Sequence, residues 1–144
     1  VALMHLSHLY GNEMKKRRKG RILNVASVAA FSAGPYMSVY YASKAFVFSF
    51  SQAMYEELKG YGVSVTALCP GPTGTNFENT AGLTNSKMFK VFGVEKADSV
   101  VKRGYKGMMR GKAIVYHSKV TYGFNIITRL VSRKCARNIA GRIN

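Results

Sequence analysis

The sequence predicts an α/β fold, a doubly wound parallel sheet with helices on both faces. Three observations carry that expectation. Short apolar runs at 21–26 and 63–68 both read as buried strands. Between them, residues 39–60 read as one long helix, the crossover that two parallel strands require. A third apolar run, 112–117, follows another helical stretch, so strands and helices alternate along the chain. Such crossovers are right-handed, and ligands of such sheets sit at the carboxyl ends of the strands.

Residues 1–18 read as a helix. Leu3, Leu6, Leu9, Tyr10 and Met14 make an apolar stripe at three- and four-residue spacing. Lys15, Lys16, Arg17, Arg18 and Lys19 gather at its carboxyl end, where cations suit the helix dipole. Gly20 fits a C-terminal cap. The strand 21–26 ends at Ser27, and 27–38 read as a loop punctuated by Gly34 and Pro35. In the helix 39–60, Phe46, Phe48 and Phe50 read as core or helix–helix contacts, and Gly60 and Gly62 close it. Residues 70–94 form a long segment rich in Gly, Asn and Thr. A stretch of that length in a compact domain is usually functional. Phe77, Leu83, Met88 and Phe89 are candidates for an apolar lining there, with a short helix around 85–91 as the plainer reading. Residues 95–110 read as a helix with Glu95 and Asp98 in its first turn and Arg110 in its last. Residues 119–143 read as one or two basic amphipathic helices, in which Ile126, Ile127, Leu130 and Val131 alternate with Arg129, Arg133, Lys134 and Arg137. The expected organisation is therefore an α/β unit over 1–117 and a basic helical tail over 118–144.

A length of 144 residues suits one domain. Two cysteines, Cys69 and Cys135, make no disulfide framework, so a reducing, cytoplasmic setting is expected. Cys69 reads as a small packing residue without a redox role. No run of eighteen apolar residues exists, and the start lacks the basic-then-apolar order of a signal peptide. The first residue is Val, which points to a fragment of a longer protein. His5, His8 and His117 lack metal-ligand spacing, so no metal is assigned. The net charge is +16, and eleven Lys and Arg follow Asp98 with no further acidic residue. Charge alone carries a nucleic-acid reading, and the helix-end account of residues 15–19 displaces it, so no nucleic-acid partner is expected. For the tail, packing or oligomer contact is the first expectation and peripheral contact with an anionic membrane the second.

The chemistry concentrates between residues 21 and 44. Ser27 ends a strand, Tyr40 follows thirteen residues later, and Lys44 lies four residues beyond it. At that spacing Tyr40 and Lys44 share a helix face one turn apart. A free phenol, with a pKa near ~10, is a poor base at neutral pH, and a neighbouring ammonium favours the phenolate. Tyr40 is therefore the candidate general acid/base. Ser27 is the candidate to hold the same substrate oxygen, and Lys44 the candidate to tune Tyr40.

Ser27 with Tyr40-Tyr41-Ala42-Ser43-Lys44, followed after a second strand by Cys69-Pro70-Gly71-Pro72-Thr73-Gly74-Thr75, resembles the short-chain dehydrogenase/reductase family. The likeness runs over about residues 1–117. It implies a Rossmann-like doubly wound sheet of which this chain is the C-terminal half. It also implies an NAD(P)-dependent oxidoreductase that interconverts a carbonyl and an alcohol by hydride transfer. Ser27, Tyr40 and Lys44 would be catalytic. Tyr40, Lys44, Pro70, Gly71, Thr73 and Thr75 would contact NAD or NADP, with Lys44 on the nicotinamide ribose. The partners implied are a small carbonyl or alcohol substrate and further copies of the full-length chain. The family's Gly-rich turn and helix asparagine are absent. The isolated 144 residues are therefore expected to be inactive and, with an open sheet edge, to aggregate. The rival expectation is an inactive remnant that serves as an interaction module through its basic tail, on a membrane or a protein partner.

Overall fold

The computed structural model describes residues 1–75, 90 and 92–143. The chain opens with α1 (Ala2–Lys16), β1 (Gly20–Val25) and a 3₁₀ turn over Val28–Phe31. Then come α2 (Ser38–Lys59), β2 (Val63–Cys69), β3 (Thr73–Gly74) and β4 (Glu95–Lys96). It closes with α3 (Ala97–Met109), β5 (Ile114–Tyr116), α4 (Lys119–Leu130) and α5 (Arg133–Ile143). The α/β class expected from the sequence is the class observed.

The main sheet has the order β1–β2–β5 and is parallel throughout, with Val25 beside Leu68 and Cys69 beside Tyr116. The alternation of β2 sorts its side chains. Val63, Val65, Ala67 and Cys69 pack with Phe48, Met54 and Leu58 of α2. Leu68 points the other way, into a cluster with Val100 of α3 and Val115. Helices therefore cover both faces, as a parallel sheet requires. Gly104 and Gly107 let α3 approach closely: a Cβ on Gly107 would stand 2.2 Å from the Val115 side chain. A second, two-stranded parallel sheet joins β3 to β4, with Thr73 beside Glu95.

Gly20 does not cap α1. Arg18 takes the left-handed conformation, φ 54°. The amides of Arg18 and Lys19 bond back to the carbonyls of Lys15 and Met14, each at 3.1 Å. That is a Schellman ending with an arginine in the usual glycine position. Gly20 is needed for another reason, since Met14 lies over it and a Cβ would stand 2.3 Å from Met14 Cγ. Three side chains of the basic cluster, all exposed, find partners within the protein. Lys15 sits over the Tyr61 ring at 4.1 Å, Lys16 pairs with Glu13, and Arg18 donates to the Gly60 carbonyl.

Glu95 also departs from expectation, lying in β4 rather than in the first turn of α3. The tail forms two helices that pack onto the unit before it: Ala140 joins a cluster with Ala29 and Tyr41, and Phe124 stacks edge-on against Phe92. Phe48 is buried, whereas Phe46 is half exposed and stacks on Phe50 along the outer side of α2. Phe77, Leu83, Met88, Phe89 and the expected helix around 85–91 fall largely outside the described residues.

Candidate active site

The parallel pairing of β1 and β2 brings their carboxyl ends side by side. The Ala26 amide bonds to the Leu68 carbonyl and the Val28 amide to the Pro70 carbonyl, both at 2.8 Å. Ser27 therefore sits between these bonds, next to the Cys69–Pro70 peptide. It is buried, in extended backbone, and caps the 3₁₀ turn: its Oγ accepts from the Ala29 amide at 3.2 Å. That bond uses a lone pair and leaves the O–H to be donated elsewhere.

The first turns of α2 lie over the same strand end. Lys44 reaches back to β1 and donates from Nζ to the Val25 carbonyl at 3.1 Å. The same Nζ stands 5.8 Å from the centre of the Tyr40 ring, one turn earlier. Tyr40 packs into the cluster of Ala29, Tyr41 and Ala140. Lys44 thus touches Val25, Tyr40 packs on the cluster that includes Ala29, and Ser27 lies between Val25 and Ala29 in the chain. Burial holds the Lys44 ammonium below its ordinary pKa, and none of the ion pairs among the described residues involves it. Tyr41 is distinct from its neighbour. It is 4% exposed, and Gly34 lies on its ring so closely that a Cβ there would stand 2.3 Å away.

The loop after β2 faces this group. Pro70 and Gly71 are half-buried, and the Thr73 hydroxyl donates to the Gly71 carbonyl at 3.1 Å. Thr75 is exposed. A Cβ on Gly71 would find Phe92 and Thr121 at 3.6 Å, so the loop is flanked by α4. Ser32, just beyond the 3₁₀ turn, has a buried hydroxyl oxygen with no hydrogen-bond partner among the described residues.

Sequence reasoning missed what holds this loop. The Glu95 amide bonds to the Pro72 carbonyl at 3.0 Å. Its carboxylate lies 3.1 Å from Nδ1 of His117, an ion-pair distance at an angle short of a hydrogen bond. His117 is 4% exposed and its Nε2 lies 3.3 Å from Ser99 Oγ. The scarcity of carboxylates was the available signal, since each of six in a chain with 22 cations merits a search for its partner. Asn24 of β1 donates to Ser51 Oγ at 3.0 Å in the core.

Cys69 is fully buried, and burial pushes its thiol up to about 12, whereas Cys135 is exposed. Only a thiolate reacts readily with a disulfide reagent. A thiol titration near pH 8 is therefore expected to modify Cys135 quickly and Cys69 only after denaturation. Fast modification of both in the native protein would contradict the packing of β2.

Comparison with known proteins gives consistent matches. Residues 1–86 match the family described as short chain dehydrogenase. The chain is 36% identical over 106 residues to 17-beta-hydroxysteroid dehydrogenase type 3 of Mus musculus, covering 74% of this chain and 32% of that protein. It is 42% identical over 71 residues to the ketoacyl reductase HetN of Nostoc sp. (strain PCC 7120), covering 49% of this chain and 25% of the relative. The fold aligns with a short-chain dehydrogenase from Sphingobium yanoikuyae, solved in complex with NADPH, at a TM-score of 0.73 and 27% identity. That match covers 89% of this chain and 50% of the other. The chain thus spans a quarter to a half of the length of these relatives.

Proposed function

The chain belongs to the short-chain dehydrogenase family, and on that premise we propose that it carries the proton-transfer site of an oxidoreductase interconverting a carbonyl and an alcohol with NAD or NADP. The observation that carries the reading is the arrangement around Val25–Ala29: Lys44 on the Val25 carbonyl and 5.8 Å from the Tyr40 ring centre, Ser27 accepting from the Ala29 amide, and Tyr40 packed on the cluster that includes Ala29.

The family uses NAD(P), and the groups here suit it. An ammonium has three donors, and Lys44 spends one on Val25. Two remain for adjacent ribose hydroxyls. Pro70, Gly71, Thr73 and Thr75 offer backbone and hydroxyl groups at the neighbouring strand end. When bound, the cofactor supplies or accepts hydride at the substrate carbon. Tyr40 gives or takes the proton on the substrate oxygen. Ser27 donates to that oxygen and holds it as charge develops. Lys44 orients the ribose, and its charge stands beside the phenol. The substrate is a small carbonyl compound or alcohol, and the full-length protein works as a homo-oligomer.

Lys44→Met in the full-length protein is a test that separates function from folding. Removing two charge-assisted hydrogen bonds is expected to raise the dissociation constant for NADPH by roughly a hundredfold or more. Stability should stay level or rise, because the variant no longer buries an ammonium without an opposite charge. The sign follows from linkage. A lysine whose folded pKa is depressed binds fewer protons folded than unfolded in the alkaline window below the ordinary lysine value. Wild-type stability therefore gains from this group as pH rises through that window, and the variant lacks that gain. Fluorescence titration and urea midpoints measure both effects. Undiminished NADPH binding by Lys44→Met would remove Lys44 from the site.

A further inference from the structure

We propose that α4, with the cations around it, docks the protein on an anionic phospholipid surface. The starting observation is an inversion. On most surface helices the packed side is apolar and the wet side polar. Facing inward, α4 buries Thr121 completely and Asn125 to 3% exposure. Asn125 donates to the Tyr116 hydroxyl at 2.6 Å, and Thr128 donates to the Asn125 carbonyl. Facing outward, Val120 is 50%, Ile127 51% and Leu130 81% exposed. Gly123 lies on the same line, and a Cβ added there would meet nothing within 4 Å. Residues 120, 123, 127 and 130 follow one helical face. A single exposed leucine is ordinary, but a stripe along a whole helix is not.

Charge decides what covers the stripe. On one flank, a groove of about 910 Å³ between α3 and α4 is lined by Lys102, Arg103, Lys106, Arg110 and Lys119, with Tyr122 of α4 on its wall and Asp98 as its one carboxylate. In the last turn of α4 Arg129 is exposed, and just beyond the helix so are Arg133 and Lys134. No acidic residue follows Asp98. Two copies of such a surface would repel one another, and a phosphate backbone offers nothing to Ile127 or Leu130. Acyl chains beneath anionic headgroups satisfy both features. No helix among the described residues is long and apolar enough to cross a membrane, so α4 lies along the surface.

The test is co-sedimentation of the full-length protein with vesicles of phosphatidylcholine alone and of phosphatidylcholine with about one third phosphatidylserine. Salt-sensitive binding to the anionic vesicles is expected. Ile127→Asp with Leu130→Asp should weaken it at least roughly tenfold, and Arg133→Glu with Lys134→Glu by a similar factor. Both double variants should keep the wild-type melting temperature, because the altered side chains face water. Absence of wild-type binding, or unchanged binding by either variant, overturns the proposal. So does a lower melting temperature in the aspartate variant, or its conversion of a wild-type dimer to a monomer, since either would mean that protein covers the face.

Discussion

Tyr40→Phe in the full-length protein is expected to lower turnover by roughly 10²- to 10⁴-fold, the usual contribution of a positioned general acid or base. NADPH affinity should stay close to wild type. The substitution deletes one oxygen and keeps the ring, so the cluster with Ala29, Tyr41 and Ala140 persists, as does the approach of Lys44 Nζ at 5.8 Å from the ring centre. Tyr41→Phe is the matching control. Its ring is sealed beneath Gly34, so the loss should appear in stability before turnover. Stopped-flow hydride transfer would measure each variant. Full activity in Tyr40→Phe would take the proton role from Tyr40, and a loss confined to Tyr41→Phe would reassign it to the neighbour.

Phe48→Ala should be the most damaging single change to the fold, at roughly 3–5 kcal/mol. Small domains are stable by only about 5–15 kcal/mol, so much of the margin would go. Phe48 lies one turn beyond Lys44, packs with Ala26, Ala67 and Cys69, and meets Phe31 edge-on at 5.2 Å. Its truncation opens space beneath the strand end that carries Ser27. Equilibrium unfolding in urea is the measurement. A loss below about 1 kcal/mol would show that α2 is held mainly elsewhere.

Much of this was legible in the chain because the signals were local. Apolar runs at 21–26 and 63–68, the helix between them, and the spacing of Tyr40 and Lys44 are patterns within a few turns of backbone. What escaped depends on residues distant in sequence. Gly20 looks like a helix cap until Met14 is seen lying over it, and Arg18 takes the left-handed position instead. Glu95 satisfies the rule for an acidic helix start, yet its amide and carboxylate serve Pro72 and His117. That Ala140 would pack beside Ala29 has no local signature at all. The inverted face of α4 was half visible: the apolar and basic residues could be seen, but only the fold tells which side is packed.

The topology of the sheet has a consequence for synthesis. β2 is the middle strand, yet its two neighbours reach it at very different times. β1 is made first, whereas the Ala67–Ile114 pairing must wait for about fifty further residues. At ~5–20 residues per second the ribosome takes several seconds to deliver them. Through that interval β2 has one paired edge and one bare one. Non-local pairing of this kind is slow in its own right, so the nascent chain carries an unpaired strand edge until β5 has been made.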